Sequence, residues 1–150
     1  MKYLFFYTFL FITFFSNSQN AETIKRKKEF NIAGNAIGIS GYDPLSYFLG
    51  NPKKGVKDFN GVVYYFASQT NLELFKKSPA KYEPAYGGWC AYAMGASGEK
   101  VEIDSKTYKI IDGKLYLFYN SFLNNTLPKW NKEEVSLKNK ADKNWQIFYK

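Results

Sequence analysis

The sequence predicts an α+β fold in which a small, mostly antiparallel sheet from two hairpins packs against short helices and a helical C-terminus. Two observations lead to this prediction. The pairs Asn60-Gly61 and Asp112-Gly113 each lie beside β-forming residues and match the type I′ turn of a tight hairpin. Aspartate, serine and proline stand at the starts of several short stretches with apolar stripes, a pattern typical of capped helices.

The N-terminal segment predicts export. An apolar run from Tyr3 to Phe15 follows a lysine, and small residues come after it at the two positions that signal peptidase reads. We therefore assign residues 1–18 to a signal peptide, residues 19–29 to a flexible basic lead-in, and residues 30–150 to one domain. The apolar run is too short for an ordinary membrane span, although an uncleaved anchor is the alternative. The expected product is periplasmic or secreted, with no stable membrane span after cleavage.

The domain is expected to begin with one or two short strands between Phe30 and Ile39, broken at glycines. Asp43-Pro44 then predicts a helix from Pro44 to about Leu49. The aspartate can accept from free amides, and proline fits the first helical position. The alternative role for Asp43 is a catalytic or metal-binding carboxylate.

The first hairpin is predicted over Lys57 to Phe66, where a run of β-formers follows the Asn-Gly turn. Ser68 is the expected N-cap of a helix over about Gln69 to Lys77. A further helical turn is expected from Ser78-Pro79 to Tyr82.

The second half of the chain predicts the other hairpin, with Thr107–Ile111 paired to Lys114–Tyr119. Asn120 is the expected cap of a helical region that Pro128 interrupts. A second charged helical stretch is expected near residues 132–143.

The only cysteine lies in an aromatic stretch from Tyr86 to Gly95. Two glycines precede it, and they permit a sharp turn or a close approach by another group. A helix that begins near this point would end at Gly95 or Gly98 and would bring Cys90 and Met94 onto one face. Two sulfur atoms on one face are a possible soft-metal pair. The alternative is that both side chains are buried core residues.

The composition excludes several classes of protein. The chain carries a net charge of +8 and 20% aromatic residues, which would suit single-stranded nucleic acid. Its lysines are scattered, however, and the export signal argues against that partner, so we expect no nucleic-acid binding.

The sequence contains no histidine, which removes the commonest general base and every imidazole-dependent triad. The glycine pair lacks the spacing and the lysine of a phosphate-binding loop. Zinc usually takes four nitrogen or sulfur ligands, and one cysteine cannot supply them. Copper(I) accepts thiolate and thioether sulfur at low coordination number, so Cys90 and Met94 are the candidate metal ligands.

Several stretches of the chain together match one family pattern, which extends from about Ile37 to Trp145. These stretches are Gly41–Phe48, Tyr64–Ser68, Phe75, Ser78–Tyr82, Tyr86–Ala93, Asp112–Leu117 and Ala141–Trp145. With these stretches the chain resembles YHS-domain proteins, specifically the exported bacterial group with an extended core. The resemblance implies a small α+β domain of a family regarded as metal-binding, often found beside copper-handling proteins, with no known reaction. Only Cys90 carries over as a ligand, because Ala67 and Asn71 stand where metal-type YHS domains have cysteines.

Three functional hypotheses follow. The first is a non-catalytic metal-binding protein, with copper as the candidate ion, Cys90 and Met94 as ligands, and further contacts from Tyr86, Tyr92 or Asp43. The second is a binding module whose aromatic pocket around Trp89 and Tyr92 holds a small apolar ligand or a protein partner, with Cys90 as structural filler. The third is a thiol redox protein or thiol enzyme, which requires a reactive Cys90.

Overall fold

Residues 18–55 and 61–149 are described by a computed structural model. Within these ranges the chain forms seven helices and three two-stranded antiparallel sheets, which confirms the predicted α+β class. The helices are α1 (residues 18–29), α2 (Pro44–Phe48), α3 (Gln69–Lys77), α4 (Pro79–Tyr82), α5 (Ala91–Ala96), α6 (Leu127–Lys132) and α7 (Glu134–Phe148). The strands are β1 (Ile32–Ala33), β2 (Ile37–Gly38), β3 (Asp104–Ile111), β4 (Lys114–Phe118), β5 (Asn120–Ser121) and β6 (Asn124–Asn125).

The hairpin of β3 and β4 is the longest β element of the described chain, and it was predicted from sequence. Its turn residues Asp112 and Gly113 have φ values of 50° and 70°, as a type I′ turn requires. The pairing of Ile111 with Lys114 fixes the register at the turn, and a bulge interrupts the ladder between Asp104 and Tyr108. The short-range turn signal therefore specified both the hairpin and its register.

Strand β4 divides the hydrophobic core, because successive side chains of a strand point to opposite faces. Leu115 and Leu117 face the first core cluster, whereas Tyr116 and Phe118 face the second. The first core cluster also contains Phe30, Ile39, Leu45, Tyr47, Val62, Tyr64, Phe66 and Phe75. The second core cluster also contains Ala85, Tyr86, Ala91, Met94, Trp130, Leu137 and Ala141.

Two of the three predicted N-caps, Asp43 and Ser68, are confirmed. The Asp43 carboxylate accepts from the Leu45 amide at 2.9 Å, and α2 begins at the following proline. The Ser68 hydroxyl accepts from the Asn71 amide at 3.1 Å at the start of α3. Both caps satisfy amides that have no partner within their own helix.

Of the first predicted hairpin, the structure describes the second strand and not the first. Val62 to Phe66 alternates buried and half-buried side chains, as a strand would, and among the described residues Val63 forms an isolated parallel bridge with Ile37. Its amide donates to Ala36 O at 2.7 Å, and its carbonyl accepts from the Gly38 amide at 2.9 Å. The rest of the predicted hairpin, residues 57–60, lies outside the described residues.

The predicted flexible lead-in, residues 19–29, is instead helical and forms most of α1. Arg26 forms an ion pair with Glu83, and Glu29 is buried and paired with Lys100. Lys25 lies 4.8 Å from the centre of the Tyr149 ring. The prediction of a flexible segment was wrong. These partners are distant in sequence, so no local pattern could indicate the contacts.

The C-terminal region also differs from its prediction. Asn120 caps no helix but lies in β5, and its side-chain amide donates to Thr107 Oγ1 at 3.0 Å. Pro128 stands in the first turn of α6 rather than interrupting it, as proline favours helix starts. Gly95 lies inside α5, where an added Cβ would approach Leu137 O to 2.5 Å, so this glycine permits packing against α7 instead of ending the helix.

The predicted signal peptide lies outside the described residues except for Ser18, which is part of α1. Within residues 18–55 and 61–149, no helix combines the length and the apolar character needed to cross a bilayer.

Candidate functional site

A tight turn of residues with left-handed backbone conformation lies just before Cys90. Tyr86, Gly87 and Gly88 all have positive φ, at 55°, 61° and 87°. At Gly87 an added Cβ would lie 2.8 Å from the Trp145 ring and 3.0 Å from the Phe30 Cα, so only glycine fits. The sequence expectation of a close approach before the cysteine is therefore met by packing against these two residues.

The Cys90 thiol is buried and engaged in hydrogen bonds. Cys90 has no exposed surface, and the Tyr119 amide donates to its Sγ at 3.2 Å. Thr126 Oγ1 lies 3.5 Å from the same sulfur and donates its own proton to Tyr119 O at 2.8 Å. Because that proton is used, the geometry favours the thiol as donor to Thr126, so the sulfur accepts one bond and donates another.

An open depression of about 450 Å³ lies over the start of α5, with Cys90 at its base. One wall comes from α5 and the segment after it, and the other comes from the chain between β4 and α6. Small and aromatic groups dominate the lining, and four polar side chains stand among them. The lining residues are Cys90, Tyr92, Ala93, Ala96, Ser97, Glu99, Val101, Tyr119, Asn124 and Thr126.

Of the aromatic residues expected at the site, only Tyr92 lines this depression. Tyr86 is buried, and its hydroxyl donates to Asp142 Oδ1 at 2.9 Å. Burial first, and this hydrogen bond second, raise the pKa of Tyr86 well above its ordinary value. The Trp89 indole donates to Glu29 O at 2.7 Å, which fastens the cysteine segment to the end of α1. Tyr86 and Trp89 therefore hold the fold together around the site.

Met94 and Asp43 are also outside the lining of the depression. Met94 is fully buried in the second core cluster, although its amide donates to Cys90 O at 3.0 Å, which places the two residues one helical turn apart. The Asp43 carboxylate is fully buried and accepts from the amides of Leu45 and Ala67, each at 2.9 Å, and from the Asn71 side chain. Its acceptor capacity is used within the fold.

Two residues that contact the sulfur were missed by the sequence analysis. Tyr119 was assigned to the end of a strand, and Thr126 fell inside a predicted helical region. Thr126 lies 36 residues from Cys90 along the chain. No spacing pattern could have linked them, because the contact depends on how β4 and α6 pack beside α5.

The arrangement offers a concave, partly aromatic surface rather than a cluster of ionised ligands. Among the described residues, no group of three or more histidine, cysteine, aspartate or glutamate side chains is placed to hold a metal ion. Glu99 is the one carboxylate in the lining, and it accepts from the Ser97 hydroxyl at 3.0 Å. The cation of Lys129 lies 6.0 Å from the centre of the Tyr92 ring at the same site.

Comparison of the chain with models of known protein families, with curated proteins and with solved structures found no match. The resemblance to YHS-domain proteins is therefore a prediction from the sequence.

Proposed function

We propose that this protein is an exported, non-catalytic, YHS-like binding domain that holds a small, largely apolar ligand in the depression over Cys90. The observation that carries the proposal is the depression itself, about 450 Å³ in volume, with aromatic and small apolar groups along its walls. Concave sites of this size with a few polar groups are the usual form of small-molecule sites.

The composition of the two walls supports a ligand with an apolar body. Ala93 and Ala96 leave room on the α5 side, while Tyr92 and Tyr119 supply ring surface. A flat or aliphatic group against these residues would be removed from water, which is the main source of affinity in such sites. Asn124, an exposed residue of the lining, can orient a polar end of the ligand.

The environment of Cys90 supports a structural role for the thiol. Its sulfur has no exposed surface and is hydrogen-bonded to groups that belong to the wall of the depression. A thiol in this position fixes the segment between β4 and α6 against α5. The ligand would then rest above the cysteine without a bond to it.

Binding of the neutral fluorescent probe N-phenyl-1-naphthylamine tests this proposal. Ala96 is exposed on α5 and lines the depression, so Ala96→Phe would fill the site from its rim without burying a new group in the core. We expect probe affinity to fall at least about tenfold. Ala80→Phe places the same side chain at an exposed position on α4 and is the matched control. Equal probe affinity for both variants and the unmodified protein would contradict the proposal.

A copper(I) ion held by Cys90 and Met94 is the second candidate. The observation that favours it is the backbone hydrogen bond from the Met94 amide to Cys90 O, which places the two residues one helical turn apart. Titration with copper(I) against a competing chelator distinguishes the two proposals. Loss of copper uptake in Cys90→Ser, with probe binding retained, would support the metal site. Equal uptake by both proteins would remove it.

A further inference from the structure

The tip of the β5–β6 hairpin presents two large apolar side chains to solvent. Phe122 is 99% exposed and Leu123 is 89% exposed. They are the only sequence neighbours among the exposed large hydrophobic residues of the described chain. An aromatic and an aliphatic side chain held together in water are costly unless something covers them.

The base of this hairpin is fixed, so the tip is held away from the body of the protein. Ser121 pairs with Asn124 in the short ladder. The Thr126 amide donates to Tyr119 O at 3.1 Å below the ladder, and Lys129 Nζ donates to Asn124 Oδ1 at 2.7 Å beside it. These bonds maintain a narrow projection whose outermost residues are the apolar pair.

The chain that forms the hairpin and its flanks carries cations and no carboxylate. The Asp104 carboxylate, at the base of the hairpin, accepts from Thr107 Oγ1 and from the Asn120 side chain. Residues 113–132 contain Lys114, Lys129 and Lys132 and no aspartate or glutamate, and the other residues of the hairpin are asparagine and serine. Glu99, across the depression, is hydrogen-bonded to Ser97. With a net charge of +8 on the whole chain, the tip suits an anionic surface.

We propose that the Phe122-Leu123 tip inserts into the surface of an anionic lipid bilayer, with Lys129 beside the lipid headgroups. Two side chains can bury roughly 300 to 400 Å² in all, whereas a stable protein interface needs about 800 Å² from each partner. A bilayer needs no shaped complement and accepts such a pair at its interface. This proposal for the Phe122-Leu123 tip does not depend on whether the depression holds a ligand.

Docking in this way also orients the depression. Tyr119, Asn124 and Thr126 belong to the hairpin or its base and line the depression as well. A tip held in the headgroup layer therefore brings the mouth of the depression close to the membrane surface.

A probe on the tip gives the most direct test. Ser121→Cys, labelled with the environment-sensitive fluorophore NBD, is mixed with vesicles of phosphatidylcholine and phosphatidylglycerol, or with vesicles of phosphatidylcholine alone. Cys90 has no exposed surface, and the unmodified protein treated with the same reagent serves as the labelling blank. We expect a blue shift and a gain in emission with the anionic vesicles. The probe reports on the tip itself, whatever the N-terminal residues contribute to vesicle binding.

Variants in the same labelled chain separate the apolar and ionic contributions. The double variant Phe122→Ser and Leu123→Ser should raise the lipid concentration that gives a half-maximal shift at least about tenfold. Lys129→Gln should raise the same lipid concentration roughly fivefold, and added salt should reduce the difference between Lys129→Gln and the unmodified tip. Leu49→Cys carries the label at a residue that is 73% exposed at the end of α2, and it should show no shift.

Three results would overturn the proposal. The first is a tip probe that responds to neither vesicle, and the second is a response that the double variant retains. The third is a shift that appears without vesicles and rises with protein concentration, since this would assign the tip to contact with a second copy of the chain.

Discussion

Two buried polar groups in this protein, the Asp43 carboxylate and the Cys90 thiol, differ in what lies above them. Both residues have no exposed surface, and both accept hydrogen bonds from backbone amides. Asp43 is enclosed by α2, α3 and the segment before α3, and these provide all its donors. Cys90 lies at the base of an open depression. The comparison teaches that a buried polar side chain marks a candidate site only when the space beside it is accessible.

The two regions also differ in how their contacts arise. The Leu45 amide that binds Asp43 is two residues away, and such a cap forms whenever the local helix forms. The contacts of the Cys90 sulfur come from Tyr119 and Thr126, which are 29 and 36 residues away. One donor to Asp43 is therefore local, whereas its other two donors, Ala67 and Asn71, are 24 and 28 residues away. These two contacts, like both contacts of the Cys90 sulfur, depend on packing across the domain.

Removal of the Asp43 carboxylate should give the largest effect on stability. Asp43→Ala leaves the amides of Leu45 and Ala67 and the side chain of Asn71 without their acceptor, and we expect a loss of about 4 kcal/mol in the free energy of unfolding. Asp43→Asn keeps one oxygen and should lose about half as much. Urea denaturation followed by circular dichroism measures both. Losses below about 1 kcal/mol for both variants would contradict the enclosed arrangement.

The packing that supports the Cys90 region is tested at Gly95. In Gly95→Ala the new methyl group would approach Leu137 O to 2.5 Å, so α5 and α7 must separate. We expect a loss of about 2 kcal/mol, because this overpacking outweighs the better helix propensity of alanine. Gly34→Ala is the control, since a Cβ there meets nothing within 4 Å. Thermal denaturation of both variants measures this difference. Equal midpoint temperatures for Gly95→Ala and Gly34→Ala would contradict the expected overpacking.

Acid should weaken the ion pair of Glu29 with Lys100, which joins the end of α1 to the segment after α5. The hydrogen bond from Lys100 holds the pKa of Glu29 below its ordinary value of 4.5. A lowered folded-state pKa means that this stabilisation is present above pH 4.5 and is lost as the pH falls through the folded-state value. Lys100→Ala should therefore cost about 1 to 2 kcal/mol at neutral pH and much less in acid.

Urea denaturation of Lys100→Ala and the unmodified protein at several pH values measures this difference. Lys100→Arg keeps the cation and is the matched control. A cost that stayed constant down to acid pH would assign the effect of Lys100 to its contact with the Phe148 ring, whose centre is 4.6 Å away.

The smallest expected effect is at Thr126, beside the Cys90 sulfur. Thr126→Val removes the hydroxyl that donates to Tyr119 O, and we expect a loss of about 1 kcal/mol and faster alkylation of Cys90 by a maleimide. Thr126→Ser keeps the hydroxyl and should behave as the unmodified protein does. In that protein, alkylation should be at least about a hundredfold slower than in the urea-unfolded chain, because the thiol must first become exposed. Equal alkylation rates in the folded and the urea-unfolded protein would favour the thiol redox hypothesis instead.

Sequence signals were sufficient where the interacting groups are neighbours in the chain. The Asp112-Gly113 turn and the caps at Asp43 and Ser68 were predicted correctly, because each depends on φ values or donors within a few residues. At the site, the sequence identified Cys90 and Tyr92 as members of one aromatic stretch. Both line the depression in the structure.

The signals failed where a distant partner decides the outcome. The run of β-formers from Val62 to Phe66 was assigned to a hairpin, but the backbone of Val63 hydrogen-bonds to Ala36 and Gly38, on another part of the chain. The basic composition of residues 19–29 predicted a flexible arm. Ion pairs of Arg26 and Glu29 with distant residues hold this segment as a helix against the domain.

By itself, the sequence determined the fold class, one complete hairpin, two helix caps and the position of the only cysteine. These features depend on turn geometry, capping and side-chain period, which act over a few residues. Only the tertiary structure decided that Cys90 lies beneath a depression and that Phe122 and Leu123 project into solvent. The physical reason is that burial and cavity shape depend on how elements distant in sequence pack against the two faces of β4.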